Sequence, residues 1–311
     1  MTSTPVQVWI DGRLVTTDAA KLSHLTHTFH YGLGAFEGIR SYAQADGTSA
    51  VFRLREHIER LFASCHLVTI SRKEIDLSVD QVMAACIDTL RANDLAEGYI
   101  RPVIYLGAGA MGIGALTNPV HTMVAAWEWG AYLGAESLEH GIDACVSSFR
   151  RAEHSSTLSK GKLTGQYINS ILAKREAIRN GYAEAILLNS QGFVTEASGE
   201  NLFMICDGEL ITPPLGMNIL AGITRATVME LAREQNISVA ERRFARDELY
   251  LADEVFLTGT AAEVSPVRSI DGRTIGSGTR GPITTSLQKR YFDVVKGNEG
   301  EHSHWRSSYT V

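Results

Sequence analysis

The segment FVTEASGENLFMIC, residues 193–206, decides the fold of the second half of the chain. Its apolar residues form two short runs that break at Gly199, a pattern typical of two strands joined by a turn. Short strands are also predicted for EAILLN before it and ELIT after it, with turns at Gly192 and Asp207-Gly208. This strand-rich pattern predicts an α+β fold with a barrel-like domain.

Helices interrupt this half at three places. The pattern predicts them over about 165–180, with Gly181 as the C-terminal stop, from residues 222–224 onward, and over about 282–296. Two more strands are predicted near SVAERRF and EVFLTGT. The polar tail after Lys296 is expected to be ordered only if it docks.

The first half mixes strands with two helices. VQVWIDGRLV (6–15) predicts a hairpin, because its Asp-Gly pair favours a tight turn. Apolar side chains at helical spacing predict a helix over 53–66, and the capping-box pattern SVDQ (78–81) predicts the start of a second. YIRPVIYL (99–106) and TMVAAWEW (122–129) are predicted strands.

A glycine-rich stretch, WGAYLGAESLEHG (129–141), breaks the rhythm of the two halves. We therefore predict an N-terminal α/β domain at residues 1–130, an interdomain loop at 131–138 and a C-terminal domain at 139–311.

Composition sets limits on the class of protein. Hydrophobic residues make up 44% of the chain and charged residues 21%, with a net charge of -6, so a nucleic-acid partner is not expected. Cys65, Cys86, Cys145 and Cys206 are scattered without a C-x-x-C pair, which favours a reducing compartment. No signal-peptide pattern and no apolar run near 18 residues is present, so we expect a cytoplasmic protein without a membrane partner.

Two motifs suggest chemistry that their surroundings do not support. Residues 107–112 match G-x-G-x-x-G, but a dinucleotide site also needs a helix directly afterwards, and a strand is predicted instead. His24, His27 and His30 lie three apart, but no helix is predicted there, and on a strand the middle ring would face away. We therefore expect a glycine loop, ordinary histidines and no metal site.

A few polar residues stand where an anion or a cofactor could bind. The helix start at 222–224 presents free backbone N–H groups and a threonine hydroxyl, which suit a phosphate. Arg60 could neutralise that anion, and Glu196 could hold a protonated ring nitrogen. Lys160 and Lys162 are both candidate nucleophilic amines, and chemistry alone does not choose between them. Taken singly, these residues are also compatible with a plain helix start, a solvated arginine and an edge-strand acid.

Taken together and in order, many segments resemble one family. They are HTFHYGLGAFEGIR (27–40), FRLREHIERL (52–61), YIRPVIYLG (99–107), WGAYLG (129–134), VTEASGENLF (194–203), LAGITR (220–225), LADEVFLTGTAAEVSPV (251–267) and GPIT (281–284). These segments resemble the branched-chain aminotransferases of the fold type IV group, which use pyridoxal 5'-phosphate (PLP). The resemblance implies a smaller N-terminal α/β sandwich and a larger, strand-rich, barrel-like C-terminal domain, with PLP at their interface.

The resemblance also assigns a cofactor site. In this family the lysine that binds PLP lies five residues before a tyrosine that contacts the ring; Tyr167 matches that tyrosine, which makes Lys162 the catalytic lysine. Glu196 matches the acid at the pyridine nitrogen, and Leu220 lies under the ring. The phosphate ligands implied by the resemblance are Arg60, Gly222, Ile223, Thr224 and Thr260. The chain departs from the family at residues 163–165, Leu-Thr-Gly, where small, glycine-rich residues are frequent.

Substrate residues are implied in the same way. Tyr99 and the backbone N–H groups of Thr260 and Ala261 match the binders of the α-carboxylate, and Arg101 matches the group that receives the distal carboxylate of glutamate. The walls of the apolar side-chain pocket are implied to be Tyr31, Phe36, Trp129 and Tyr132, with Gly38 leaving room. Met111 is implied to reach the active site of a neighbouring subunit.

The activity that the resemblance implies is PLP-dependent transamination of L-leucine, L-isoleucine and L-valine with 2-oxoglutarate. Its products are branched 2-keto acids and L-glutamate, and the protein is expected to be a homodimer or a higher homo-oligomer. Alternatives on the same fold are a transaminase for (R)-amines or D-amino acids and an aminodeoxychorismate lyase. A non-catalytic PLP-binding protein is a further alternative, but the presence of both Lys162 and Glu196 argues against it.

Overall fold

The computed structural model describes residues 6–130, 133–134 and 136–311. Its strands, in chain order, are β1 Gln7–Ile10, β2 Arg13–Thr16, β3 Gly34–Phe36, β4 Ile39–Ala43, β5 Ser49–Phe52, β6 Gly98–Leu106, β7 Val120–Trp127, β8 Ile142–Arg150, β9 Glu184–Leu188, β10 Val194–Ala197, β11 Asn201–Cys206, β12 Glu209–Thr212, β13 Val239–Glu241, β14 Glu254–Gly259, β15 Glu263–Ile270, β16 Arg273–Thr274 and β17 Arg306–Tyr309. Its α-helices are α1 His27–Tyr31, α2 Leu54–Leu67, α3 Arg72–Ile75, α4 Val79–Ala92, α5 Ser137–His140, α6 Tyr167–Arg179, α7 Ile223–Glu234, α8 Arg246–Tyr250 and α9 Pro282–Val295.

The chain divides into two compact units. The first contains the described residues up to Trp129 together with Gly161–Gln166 and Val294–Val311, and the second contains Gly130–Lys160 and Tyr167–Asp293. This division differs from the predicted 1–130, 131–138 and 139–311, because β17 pairs with β5 and the backbone N–H of Phe36 donates to Lys162. Residues 131, 132 and 135 of the predicted loop lie outside the described residues.

The first unit is built on an antiparallel sheet in the strand order β17-β5-β4-β6-β7-β1-β2, with β3 also paired to β6. The predicted hairpin is present, with Val8 opposite Val15. Asp11 and Gly12 at its turn both have positive φ, as a tight two-residue hairpin turn requires.

Side chains alternate along β6, and this alternation separates core residues from candidate site residues. Ile100 and Ile104 are fully buried on one face, in a cluster that includes Ile58 of α2 and residues of α4. Tyr99 and Arg101 point to the other face, because successive side chains of a strand alternate. The packing of the helices on one face therefore leaves the opposite face for function.

The second unit is built on a sheet in the order β10-β9-β8-β15-β14-β11-β12-β13, with β16 paired to β15. β8 is parallel to β9 and β15, and β12 is parallel to β13. The two ends of this path meet: the Val194 N–H donates to the Phe244 carbonyl at 3.0 Å, and Phe193 forms a bridge with Ala245 just after β13. This closure confirms the predicted strand-rich, barrel-like architecture.

Most predicted elements are present with small shifts at their ends. Ser78 and Gln81 form the predicted capping box of α4, and Gly181, with φ of 83°, follows α6. β7 begins two residues earlier than predicted and ends at Trp127. Among the described residues, no helix combines the length and the apolarity that crossing a membrane requires.

β15 is a strand that the sequence pattern did not predict, because Pro266 lies in its middle. Pro266 is opposite Phe256 of β14, and pairing with β8 starts only at Val267. A residue without an N–H is tolerated at such an irregular position. The short strands β3, β4 and β5 were not predicted either.

The sequence predicted no helix in the segment that contains His24, His27 and His30. That prediction was wrong, since α1 spans His27–Tyr31. The Nε2 atom of His27 lies 2.9 Å from the Gly112 carbonyl oxygen, and that of His30 lies 2.7 Å from the His24 carbonyl oxygen. Two of the three rings therefore contact backbone carbonyls. Between the glycine loop and β7 the described chain forms no helix, as predicted.

The docked tail generates a stability prediction. Tyr309 is 3% exposed on β17, and its hydroxyl donates to the Leu95 carbonyl at 2.6 Å. Tyr309→Ala should lower the free energy of unfolding by about 3 kcal/mol through the cavity it leaves, and Tyr309→Phe by about 1 kcal/mol through the lost hydrogen bond. Urea unfolding curves measure both, and equal effects of the two variants would contradict the proposed packing role.

Candidate active site

Lys162 belongs to the first unit, where its backbone is fixed on both sides. Its N–H donates to the Ser64 hydroxyl at 3.0 Å, and its carbonyl accepts from the Phe36 N–H at 3.0 Å. Its amine nitrogen lies 5.0 Å from the centre of the Phe36 ring. Lys162 therefore reaches the side of the first unit where Phe36 and its neighbours lie.

Arg60 is held by a buried carboxylate that the sequence analysis did not identify as part of the site. Glu37 is fully buried, and its two oxygens accept from Arg60 Nε at 2.6 Å and Arg60 Nη2 at 2.9 Å. His57, also buried, places Nδ1 2.7 Å from the same carboxylate. A two-point contact of this kind fixes the plane of a guanidinium, which suits an arginine that binds a phosphate.

The electrostatics of this cluster follow from its burial. Burial disfavours the charged form of Glu37, but the positive charge of Arg60 and the contact with His57 outweigh it and hold the pKa of Glu37 far below its ordinary value. Burial lowers the pKa of His57, and the charges of Arg60 and Lys162 lower it further against the opposing effect of Glu37. The cluster therefore holds one carboxylate, one guanidinium and a neutral imidazole whose Nδ1–H donates to Glu37.

Three predicted substrate residues of the first unit, Phe36, Tyr99 and Trp129, gather around Arg101. The guanidinium carbon of Arg101 lies 4.7 Å from the centre of the Phe36 ring and 5.3 Å from that of Tyr99. Its Nη2 donates to the Tyr99 hydroxyl at 3.2 Å, and the Trp129 ring meets Tyr99 edge-on at 4.5 Å. The result is an aromatic surface with one cation set into it.

Gly38 is required by this packing. An ideal Cβ built on Gly38 would fall 1.9 Å from the hydroxyl oxygen of Tyr99, closer than atoms can approach. Any side chain at position 38 would therefore displace Tyr99.

The remaining predicted wall residues are less enclosed. Tyr31 and Met111 are each 45% exposed, and the Tyr31 ring lies 4.7 Å from that of His27. Tyr132 lies outside the described residues.

Glu196 is the centre of the candidate site in the second unit. It is 5% exposed, its Oε1 pairs with Arg151 Nη2 at 2.7 Å, and its Oε2 accepts from Asn201 Nδ2 at 3.1 Å. The N–H of Leu220 donates to the same Oε2 at 3.0 Å. A carboxylate with these donors is stabilised in its charged form, which fits the requirement for a partner to a protonated ring nitrogen.

Lys160 belongs to the second unit and faces a different set of partners. Its amine donates to the carbonyl oxygens of Leu215 and Ile219, the second at 3.2 Å. Burial is the largest influence on it and lowers the pKa of Lys160. Lys160 thus ties down the loop that precedes Leu220.

The N-terminus of α7 fits an anion. Gly222 is its N-cap, and no side chain of the described residues caps it, so the first backbone N–H groups are available to a phosphate. Ile223 and Thr224 are the first two helical residues, and Thr224 is 4% exposed. An ideal Cβ on Gly222 would fall 1.9 Å from Asn201 Oδ1, so only glycine fits between the helix start and Asn201.

The other predicted residues of the second unit lie at the ends of elements. Thr260 and Ala261 form the connection between β14 and β15, in which Gly259 is opposite Glu263, and both are partly exposed. Tyr167 is the first residue of α6. A tight turn and a helix start both present backbone N–H groups, which suits the carboxylate role predicted for residues 260 and 261.

Several residues that shape these two sets were not identified from the sequence. On α2, His57 and Ser64 recur at helical spacing with Arg60, which the sequence did identify, and this polar stripe among apolar residues is a signal that could have identified the other two. Arg151 and Asn201 carried no such signal, since their roles depend on chain folding that brings β8 and β11 near Glu196.

The Glu37 cluster generates a prediction for stability. Glu37→Gln should lower the free energy of unfolding by about 3 kcal/mol, because the partly buried charge of Arg60 loses the carboxylate charge that pairs with it. Since the pKa of Glu37 is lowered on folding, its contribution is present above its ordinary pKa of 4.5 and is lost as pH falls below that value. The difference in the free energy of unfolding between wild type and Glu37→Gln, measured by urea unfolding, should therefore become smaller as the pH is lowered.

The matched control is Glu56→Gln, which removes a partly exposed partner of Arg53. It should change the free energy of unfolding by less than about 1 kcal/mol. Similar decreases in the free energy of unfolding for Glu37→Gln and Glu56→Gln would contradict the role assigned to the buried cluster.

Comparisons with known proteins show the family of the chain. Residues 34–270 match the family described as amino-transferase class IV. A branched-chain-amino-acid aminotransferase from Pseudomonas aeruginosa is 47% identical over 300 residues, 96% of this chain and 96% of that protein. The crystal structure of the Escherichia coli branched-chain amino acid aminotransferase has a TM-score of 0.94 at 42% identity, covering 98% of this chain and 99% of that one. The branched-chain aminotransferase from the archaeon Thermoproteus uzoniensis, solved with norvaline, has a TM-score of 0.92 at 40% identity, covering 97% of this chain and 99% of that one. The chain therefore belongs to the class IV aminotransferase family.

Proposed function

We propose that this chain is a PLP-dependent transaminase for branched-chain amino acids. It moves the amino group of L-leucine, L-isoleucine or L-valine to 2-oxoglutarate and gives branched 2-keto acids and L-glutamate. The observation that carries the proposal is the similarity, along nearly the whole chain, to branched-chain aminotransferases, at 47% identity for the Pseudomonas aeruginosa protein. No comparable observation favours the (R)-amine, D-amino acid or lyase alternatives.

The cofactor residues proposed from each unit fit PLP. Lys162 would hold the cofactor covalently, and Arg60, fixed by Glu37, would bind its phosphate. From the second unit, Glu196 would keep the ring nitrogen protonated. The further residues that we propose for the cofactor are Tyr167 and Leu220 for the ring, and Gly222, Ile223, Thr224 and Thr260 for the phosphate. When bound, PLP supplies an electron-accepting ring that weakens the Cα–H bond of an attached amino acid.

Lys162 is the proton carrier in this proposal. In its neutral form, the Lys162 amine would accept the proton from the substrate Cα and carry it. The backbone contacts of Lys162 with Ser64 and Phe36 fix where this amine starts. Positioning of this kind matters because proton transfer requires close approach of the two atoms.

The substrate residues explain how one site accepts both leucine and glutamate. Tyr31, Phe36, Trp129 and Tyr132 supply apolar walls, Gly38 leaves room and Met111 approaches from a neighbouring subunit. Tyr99 and the N–H groups of Thr260 and Ala261 bind the α-carboxylate. Arg101 receives the distal carboxylate, and its Nε is buried without a hydrogen-bond partner among the described residues. An aromatic surface shields this cation when leucine is bound and leaves it available for glutamate.

We further propose a cytoplasmic homodimer or higher homo-oligomer. Phe29 is 72% exposed, Leu116 81% and Ile113 94%, the last two on the segment that carries Met111. Exposed apolar side chains gathered in this way are typical of subunit interfaces. The four free cysteines, three of them buried, fit a reducing compartment.

The activity is tested by mixing the PLP-loaded protein with L-leucine and 2-oxoglutarate and measuring glutamate. We expect glutamate and the branched 2-keto acid in equal amounts, because transamination exchanges one amino group for one carbonyl. D-Alanine, an (R)-amine and aminodeoxychorismate serve as comparison substrates. A failure to form glutamate, or faster turnover of a comparison substrate, would overturn the proposal.

The lysine assignment is tested by the matched pair Lys162→Arg and Lys160→Arg. Both keep a cation, and only Lys162→Arg removes the amine that we propose to bind PLP. It should lose the long-wavelength absorbance of the bound cofactor and at least about 10³-fold in turnover, within the range typical of lost proton-transfer catalysis. Lys160→Arg should keep the absorbance band, because an arginine also donates to carbonyl oxygens. The reverse pattern would identify Lys160 as the cofactor lysine.

A further inference from the structure

A second acidic cluster lies in the second unit, next in sequence to Glu196. Glu184 of β9 is fully buried, and Glu200, just before β11, is 5% exposed. The Glu184 carboxylate accepts from Lys174 Nζ of α6 at 2.5 Å, from the Ser198 hydroxyl at 2.5 Å and from the Ala185 N–H at 2.8 Å. Glu200 accepts from the Gly199 N–H at 3.1 Å, and the charge of Glu184 acts on its carboxyl group.

The charges in this cluster balance only if one carboxyl group keeps its proton. The charged groups that act on Glu200 are Glu184 and Lys174, from the two elements packed against it, and one lysine cannot neutralise two buried carboxylates. Two carboxyl groups can share a hydrogen bond only when one of them is protonated. Burial, and then the Glu184 charge, raise the pKa of Glu200 to about 8, so Glu200 is the group that keeps the proton.

This cluster supports the turn that brings Glu196 and Asn201 together. The hydroxyl of Ser198, within the turn, donates to Glu184. The Ala197 N–H also donates to the Glu200 carbonyl at 2.8 Å. Glu196 and Asn201 flank this turn, and the Asn201 side chain donates to Glu196 and to the Leu220 carbonyl.

We propose that Glu200 is a positioning residue that works as a neutral carboxylic acid. It donates its proton in a hydrogen bond to Glu184, and this shared proton keeps residues 197–200 in the turn that sets Asn201 against Glu196. Loss of the proton places two adjacent negative charges in a buried site and loosens the turn. The part of this inference that concerns catalysis rests on the proposed function.

The shared proton is tested independently of activity, by the melting temperature of the full-length protein as purified, between pH 5.5 and 8.5. The pKa of Glu200 is raised on folding, so its stabilisation is complete below its ordinary pKa of 4.5 and is lost as pH rises to about 8. Glu200→Gln mimics the neutral acid and has no proton to lose. Its melting temperature should therefore rise relative to wild type by about 4 °C or more across this range.

Glu230→Gln is the matched control, because it removes the same charge from an exposed position on α7. The difference in melting temperature between Glu230→Gln and wild type should be the same at every pH. If the melting temperature of Glu200→Gln also differs from that of wild type by a constant amount at every pH, the shared proton is overturned. This conclusion does not depend on the activity measurements.

Catalysis supplies the second measurement, with the PLP-loaded protein, L-leucine and 2-oxoglutarate. Wild-type turnover should fall on the alkaline side as Glu200 ionises, and Glu200→Gln should keep its neutral-pH turnover further into that range. Glu200→Ala removes the proposed hydrogen bond altogether, and its turnover should be about tenfold lower than that of wild type at every pH. Parallel pH profiles for wild type and Glu200→Gln would overturn the positioning role. Absence of glutamate in the wild type would overturn the proposed function instead, and the melting curves would still decide the shared proton.

Discussion

The constraint on which the second unit depends is the turn at residues 197–200. It reverses the chain between β10 and β11, so that Glu196 and Asn201, five positions apart, form a side-chain hydrogen bond. Asn201 then links Glu196 to the Leu220 carbonyl, while the Leu220 N–H returns to Glu196. The same Asn201 leaves room only for a glycine at position 222, where α7 starts. One short turn therefore sets the positions of both Glu196 and the start of α7.

The first unit uses a similar principle with opposite charges. The guanidinium of an arginine ends a flexible side chain and has no preferred plane of its own. The guanidinium of Arg60 is held in one plane by the two oxygens of Glu37. Glu37 is itself held by His57, three residues before Arg60 on the same helix. In both units a buried charge is tolerated because its hydrogen bonds are supplied by neighbouring elements, and those hydrogen bonds also fix its direction.

The parts of the fold that the sequence predicted are those with strong local signals. The Asp11-Gly12 hairpin, the Ser78 capping box and the Gly181 helix stop are each determined by a few adjacent residues. β15 was missed because Pro266 disfavours a strand locally and only pairing with distant strands stabilises it. The C-terminal tail was assigned to the second domain for the same reason, since its partner, β5, lies some 250 residues earlier.

The residues of the candidate site also fall into two groups, those with a local sequence signal and those placed by contacts with distant parts of the chain. Arg60 and the start of α7 carry a local signal, because a helix pattern places them. Glu37 carries none, since nothing in its neighbourhood along the chain indicates that a guanidinium from α2 will pair with it. The supporting residues Arg151 and Asn201 are determined by tertiary contacts alone, and a single sequence does not reveal those.

The two lysines show what the structure adds to a family resemblance. Burial lowers the pKa of Lys160, which taken alone would make it the better nucleophile. Two carbonyl oxygens accept from that amine, however, and such acceptors favour the ammonium form and hold it in place. Lys162 is anchored differently: Ser64 and Phe36 hold its backbone, and its amine nitrogen lies 5.0 Å from the centre of the Phe36 ring. The structure therefore gives the two lysines different surroundings, carbonyl oxygens for Lys160 and an aromatic ring for Lys162, which the spacing to Tyr167 does not describe.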